Sequence, residues 1–304
     1  MSLLIDKLLE ARPEIQTTEQ PITLVVIKAA DDQVLACLEK AIAERRVNAY
    51  LIDDKNKLAE KLAAYQIDPN WYQIIDLADD QAAAAKAVQL VKEGKGDAIL
   101  KGHIATGKVL KEVVNKETGI RQAATLSHVA LLAVPQLKRL LAITDGGLIL
   151  QPDQATASVV IANAVEIMSA LGLAPVKVAL LSAAENLIPK LPSSVMETQL
   201  TKAYVGKDQL VVEGPLSIDL SLSPKSARTK EYQGKIQGDA DVLFAPDIVT
   251  GNVASKALTL FGGAEMAGLI MGAQVPVIIT SRSSSFEEKY ASLLLAQILM
   301  TKKR

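Results

Sequence analysis

Between Ile278 and Tyr290 the chain reads IITSRSSSFEEKY. An apolar run delivers Arg282 to the carboxyl end of what reads as a buried strand, with Ser281, Ser283 and Ser284 around it as hydroxyl or backbone N–H donors. A guanidinium fork suits bidentate binding of phosphate, and the start of the helix that follows favours negative charge. Two carboxylates, Glu287 and Glu288, come next, and either could accept a proton. A plainer reading stands beside this one. Ser285-Phe286-Glu287-Glu288 fits the capping box S-x-x-E, in which Ser285 bonds the N3 amide and Glu288 bonds back to the cap. The chain has eight arginines against twenty-five lysines, so the placing of each arginine carries information.

Two further strand-to-helix junctions carry similar chemistry. In DVLFAPDIVTGNVASKAL, from Asp241, the strand VLFA delivers Pro246-Asp247 into a loop. Gly251-Asn252 then opens a helix on which Asn252 and Lys256 share a face. Gly251 would let backbone approach a ligand closely, and a helix start there would favour an anion; the alternative is an ordinary turn with an Asn N-cap. In KGHIATGKVLKEVVNKETGIR, from Lys101, Thr106 and Gly107 mark the junction, with Lys108, Lys111, Lys116 and Arg121 nearby. A solvated basic face explains part of that pattern. Other signatures are missing. There is no phosphate loop of the G-x-x-x-x-G-K-[ST] type, and Asp145-Gly146-Gly147 does not extend to a dinucleotide fingerprint. The two histidines, His103 and His128, are not at metal-ligand spacing. No metal site is expected, and a Ser-His-Asp triad has no support in the spacing.

The elements that must position these residues are short apolar runs: TLVVIKA from Thr23, AYLID from Ala49, YQIIDL from Tyr72, DAILKG from Asp97, LLAITDG from Leu140, VKVALLS from Val176, DVLFAPD from Asp241 and VPVIITS from Val275. Segments with helical spacing separate most of them, so the expected class is α/β with mainly parallel sheets. Loops at the carboxyl ends of such strands are where ligands collect. The stretch from Val205 to Gly238 reads as a long irregular loop. At 304 residues the chain exceeds the size of one comfortable core, which predicts two lobes. Aromatics are only 3% of a chain that is 49% hydrophobic, so the interior must be aliphatic.

Thirty-three basic and thirty-four acidic residues nearly cancel without blocks of like charge, which excludes an electrostatic footprint for nucleic acid. No window approaches the roughly 18 apolar residues of a membrane span. Asp6, Lys7 and Glu10 interrupt the N-terminal leucines, unlike a secretory signal. The single cysteine, Cys37, falls in the helical pattern DQVLACLEKAIAE as a buried small hydrophobe, and a lone cysteine fits a reducing compartment. A soluble, cytoplasmic protein is expected.

PDIVTGNVASKAL and AEMAGLIMGAQVPVIITSRSSSFEEK resemble the PD-x-x-x-GN-x-x-x-K segment and the SR phosphate-binding signature of the phosphate acetyltransferases and phosphate butyryltransferases. KGHIAT, NKETGIR, LSHVALLAVP and EGPLSIDLSLS extend the resemblance from about Gly96 to Leu294, and the KG, LSHV and GIR features point to the butyryl branch. The resemblance implies reversible transfer of a short-chain acyl group between CoA and inorganic phosphate, with acyl-CoA, CoA and phosphate as partners and no cofactor. It implies that Ser281 and Arg282 hold the phosphoryl group, with Ser283, Thr106, Lys111, Arg121, Asp247, Gly251, Asn252 and Lys256 in the substrate site. Glu288, or else Glu287, would be the base toward the CoA thiol. Relatives often carry Arg where this chain has Lys111, and acetyl-type relatives tend to carry Asp at the base position.

The fold the resemblance implies is two α/β lobes with an interdomain cleft, of the isocitrate/isopropylmalate dehydrogenase type. Residues 1–124 plus 272–304 would form the first lobe and 125–271 the second, through which a homo-oligomer would assemble. Two alternatives are a non-catalytic protein that binds a CoA thioester or phosphate, and an NAD-dependent decarboxylating dehydrogenase. The latter needs a set of several clustered aspartates, toward which Asp239 and Asp241 offer only a pair.

Overall fold

A computed structural model of the chain describes residues 2–16, 21–280 and 284–303. It divides into two compact units, Met1–Leu126 with Ala267–Arg304, and Ser127–Met266. The first begins with α1 (Leu3–Ala11), β1 (Ile22–Ile27), α2 (Asp32–Ala43), β2 (Val47–Asp53), α3 (Lys55–Leu62) and β3 (Tyr72–Asp76). It continues through α4 (Asp80–Lys92), β4 (Ala98–Lys101) and α5 (Thr106–Val113). The second unit holds β5 (Ser127–Ala133), β6 (Leu140–Thr144), α6 (Gln154–Ala170), β7 (Val176–Leu181), α7 (Pro192–Ala203) and β8 (Leu210–Leu216). After these come α8 (Ile218–Leu222), α9 (Pro224–Thr229), β9 (Val242–Phe244) and α10 (Ile248–Leu260). The chain then runs through β10 (Glu265–Met271) and β11 (Val277–Ile278) into α11 (Phe286–Lys303), which complete the first unit.

In the first unit the strand order is β3-β2-β1-β4-β11-β10, with every pairing parallel except β10 to β11. Leu24, Val25, Val26 and Ile27 of β1 are all fully buried, the continuous apolar run that a strand covered on both faces requires. The second unit orders β5-β6-β9-β7-β8, antiparallel at β5–β6 and parallel beyond. Its core is aliphatic, with Leu132, Leu141, Ile143, Leu216 and Leu243 sealed among alanines. The mixed α/β class with mainly parallel strands is thus the one expected from the alternation of runs.

Three strands escaped the sequence reading. The span from Val205 to Gly238, expected to be irregular, instead holds β8, α8 and α9. The strand expected over VPVIITS shrinks to the two residues of β11.

Helix α11 is buried on every side from Lys289 to Met300, as a helix in the middle of a packed unit must be. Its first turn is pinned by Tyr290, whose hydroxyl donates to Glu44 and accepts from Arg46 Nε at 3.1 Å. Phe286 stacks on Tyr290 with ring centroids 5.8 Å apart, and the Lys40 ammonium lies 4.6 Å over the Tyr290 ring. Cys37 lies on α2 with no exposed surface, and burial pushes its thiol up to about 12. No helix among the described residues is long and apolar enough to cross a membrane.

Candidate functional site

In the first unit β4 and β11 are parallel neighbours, with Ile99 opposite Val277 and Leu100 opposite Ile278. The segments leaving them, one toward α5 and one toward α11, therefore depart side by side from the carboxyl end of the same sheet. Glycine is required at position 102, because a Cβ there would stand 2.1 Å from the carbonyl oxygen of Lys28 at the exit of β1. Ser281, Arg282 and Ser283 lie outside the described residues. They are bracketed by Thr280 and Ser284, both buried. Lys289, also buried, donates from Nζ to Thr280 Oγ1 at 3.1 Å. Sequence reading gave Lys289 no role. The available signal was its position on one helix face with Ser292, Leu293 and Ala296, a poor place for an ammonium unless it has a task inside.

Ser285 Oγ accepts the Glu288 N–H at 3.2 Å, which is the amide half of the capping box. The Glu288 carboxyl is engaged elsewhere: burial pushes it above the usual carboxylate range, while the Ser284 hydroxyl and the Lys289 ammonium draw it back. Ser284 Oγ is itself enclosed and makes no full hydrogen bond among the described residues. Glu287 is exposed to solvent. The two glutamates therefore differ in kind: Glu287 faces water, and Glu288 sits where burial favours its protonated form, the kind of environment found at proton-transferring carboxylates.

On the adjoining segment Thr106 is the first residue of α5 and exposed, and Ala105 before it supplies no side-chain cap. Lys111 is exposed in the last turn, whereas Lys108 is paired with Asp80 at 2.7 Å. Lys28, at the exit of β1, is paired with Asp53 at 2.6 Å and donates to Ala78 O at 3.0 Å, so its charge is spent inside the protein. Arg121 is exposed and held by an antiparallel bridge to Ala273, where Gln274 N–H donates to Ile120 O at 2.8 Å.

In the second unit α10 opens three residues earlier than the Gly251-Asn252 pair suggests. Its N-cap is Asp247, whose carboxylate accepts Thr250 N–H and Thr250 Oγ1–H, each at 2.9 Å. Asn252 is not the cap, because D-x-x-T satisfies the first turn before the chain reaches it. Gly251 lies inside the helix, where a Cβ would be 2.4 Å from Asp145 O, and Asn252 Nδ2 donates to Gly146 O at 2.9 Å. The close approach made possible by Gly251 is thus to the Asp145–Gly146 loop. Lys256 is exposed one turn on.

Asp145 accepts N–H groups of His128 at 2.6 Å and of Gly147 and Leu148 at 2.7 Å each. His128 Nδ1 is enclosed with no hydrogen-bond partner among the described residues, and burial pushes the imidazole down while Asp145 draws it back. Asp145 thus orders a loop, and it does not orient the ring as a triad would require. Asp239 and Asp241 both close on Lys177, the first on Nζ at 2.5 Å and the second on its N–H at 2.8 Å, which makes them a staple between β7 and β9. Among the described residues no group of three or more His, Cys, Asp or Glu side chains is placed to hold a metal ion.

The model of one protein family, described as phosphate acetyl/butaryl transferase, matches residues 79–297. A phosphate butyryltransferase from Clostridium acetobutylicum is 34% identical over 279 residues, covering 91% of this chain and 92% of that protein. A phosphate acetyltransferase from Rhizobium meliloti is 32% identical over 289 residues, 94% of this chain and 91% of the relative. Among solved structures, a branched-chain phosphotransacylase from Enterococcus faecalis V583 superposes with a TM-score of 0.82 at 37% identity, covering 92% of this chain and 99% of its own.

Proposed function

This chain belongs to the phosphate acetyl/butaryl transferase family, and from that premise we propose that it moves a short-chain acyl group between CoA and inorganic phosphate, with Glu288 as the base. In the direction of thioester synthesis Glu288 takes the thiol proton of CoA, and the thiolate attacks the carbonyl carbon of the acyl phosphate. The tetrahedral intermediate collapses by breaking the bond from carbon to phosphate oxygen, and phosphate leaves with both electrons of that bond. In reverse, a phosphate oxygen attacks the thioester and the departing thiolate recovers its proton from Glu288. Ser281 and Arg282 hold the phosphoryl group, and the acyl chain is butyryl or acetyl in size. Thr106 and Lys111 on the adjoining segment, with Ser283, Arg121, Asp247, Gly251, Asn252 and Lys256, complete the proposed substrate contacts.

The observation that carries this reading is the environment of Glu288, held on a pinned helix turn with its carboxyl raised by burial. A CoA thiol, with a pKa of about 8.5, is mostly protonated at neutral pH and gains from a base tuned upward in this way. The test is phosphate-dependent release of CoA from butyryl-CoA or acetyl-CoA, followed with a thiol-reactive dye. Arg282→Ala is expected to raise the phosphate KM and lower kcat together. Release that is independent of phosphate, or none with any short acyl-CoA, refutes the assignment. No metal or nucleotide cofactor is required by this chemistry, so a chelator is expected to leave the rate unchanged.

The same reading includes a homo-oligomer formed through the second unit. Val249, Val253, Leu260 and Phe261 stand 65%, 60%, 74% and 88% exposed along and just beyond α10, an apolar stripe of the kind that marks an interface. Light scattering on the parent and on Phe261→Glu tests it, with dissociation expected in the variant. A cytoplasmic location fits both an acyl-CoA substrate and a lone buried thiol.

A further inference from the structure

Lys289 follows Glu288 directly on α11 and is only 5% exposed. A lysine is almost never enclosed in this way unless its charge is paired, because an ammonium taken out of water without a countercharge is costly. Lys28, also enclosed in the first unit, meets that requirement through Asp53 at 2.6 Å. Lys289 meets it differently. Among the described residues its ammonium forms no ion pair, and it donates to the neutral hydroxyl of Thr280 at 3.1 Å. Thr280 is buried and lies two residues beyond β11. The bond thus ties the exit of β11 to the helix turn that carries Glu288. Packing alone does not call for an ammonium here: an apolar side chain of similar volume in place of a buried ion is often neutral or stabilising.

Resting on the acyltransferase reading above, we propose that Lys289 is a positioning residue for the transfer: its ammonium, anchored on Thr280, holds the turn that carries Glu288 and is the fixed positive charge beside that carboxylate. Burial favours the protonated carboxyl, and the neighbouring ammonium favours the ionised form, which is the one that accepts the thiol proton. Lys289 therefore acts through Glu288, and Thr280 acts through Lys289.

The other elements packed against α11 bring no competing charge. Strands β1 and β11 carry no charged residue, and α1 buries Leu4 and Leu8. Helix α2 brings Cys37, a neutral thiol on which the Lys289 ammonium also acts, and Lys40, which lies over the rings of Phe286 and Tyr290. Glu44 and Arg46 are committed to each other and to the Tyr290 hydroxyl. Glu14, in the turn between α1 and β1, pairs with Arg12 at 3.3 Å. Among the described residues Lys289 is the one charged group that acts on the Glu288 carboxyl.

The test is the pH profile of kcat/KM for thioester synthesis, with melting temperatures, in the parent and in Lys289→Met, Thr280→Val and Thr280→Ser. Lys289→Met leaves Glu288 to burial alone, so the acid limb is expected to move to higher pH. The rate should fall about tenfold on that limb, the order of effect one nearby charge has on an ionisation equilibrium, and recover as pH rises. Arg282 is unchanged in every variant, so a displaced limb reports Lys289. The same variant is expected to melt no lower than the parent, which a purely structural lysine would not allow. Thr280→Val keeps the charge but removes its anchor, and is expected to lower kcat about tenfold, the scale of one hydrogen bond to a charged group; Thr280→Ser restores the hydroxyl and the rate. An acid limb that stays in place in Lys289→Met, a marked fall in its melting temperature, or a Thr280→Ser enzyme as slow as Thr280→Val overturns the positioning role while the acyltransferase reading stands. A parent enzyme that turns over no thioester overturns both.

Discussion

The starts of α10 and α11 look alike in sequence, each an apolar strand delivering polar residues into a helix, yet the structure uses them in opposite ways. At α10 the polar groups around the first turns are spent within the protein: Asp247 on Thr250, Asn252 on Gly146, and Ser255 Oγ on Gly251 O at 2.8 Å. At α11 Ser285 caps the turn, but Ser284 Oγ is enclosed without a full bond and Glu288 is held partly desolvated. A buried polar group without a partner costs about 1–3 kcal/mol. Chains keep such groups where they serve something other than stability. The contrast teaches that satisfaction of polar groups, more than residue type, separates a scaffold junction from a working one.

Glu288→Gln offers the largest test of that contrast. Loss of a general base is expected to lower kcat by roughly 10²–10⁴-fold, whereas Glu287→Gln, on a solvent-exposed carboxylate, is expected to leave kcat within about threefold of the parent. The stability of the same variant should move the other way. Because burial raises the Glu288 carboxyl in the folded state, stability is fully present below the ordinary glutamate range and is eroded as pH rises through the raised value. Glu288→Gln is therefore expected to melt above the parent at pH 8 and level with it at pH 4. A variant that lost both activity and stability would place Glu288 among the scaffold groups and dissolve the comparison.

At α10 the order of effects reverses. Gly251→Ala drives a methyl group into Asp145 O, and overpacking of this kind costs about 1–3 kcal/mol, to be read from denaturant midpoints. Asp247→Ala removes the N-cap and is expected to cost about 1 kcal/mol. If Asp247→Ala lowered kcat/KM no more than its stability loss explains, Asp247 would leave the proposed substrate contacts and stand as a scaffold group; a larger loss keeps it among them. The pH profile gives the smallest effect: kcat/KM for thioester synthesis should rise on the acid side with an apparent pKa above that of a free glutamate, and Glu288→Gln should flatten that limb.

Eight strands were legible as apolar runs because parallel strands buried on both faces write themselves as Val, Ile and Leu. Two of the three strands that escaped, β8 and β10, have physical reasons. β8 contains Gly214-Pro215 and lies at the end of the strand order, the position where proline is tolerated in a sheet and hides a strand from propensity. β10 dilutes its apolar residues with Glu265 and Gly268, whose N–H is taken by Ser292 Oγ at 3.0 Å. The Ser285 cap was readable from S-x-x-E, but the fate of the Glu288 carboxyl was not, because burial by α11 and proximity to Lys289 are tertiary facts. The alternative of an Asn N-cap at Asn252 fails because Asp247, five residues upstream, takes the helix start.

The protein that handles the CoA thiol keeps its own thiol silent. With Cys37 pushed up to about 12, only on the order of one molecule in 10⁵ carries the thiolate at pH 7, against a few per cent for an ordinary cysteine. Thiol–disulfide exchange runs through the thiolate and needs access to the sulfur. Mixed disulfides with oxidised CoA are therefore disfavoured on both counts, and the enzyme is expected to retain its activity under oxidising conditions that consume its substrate.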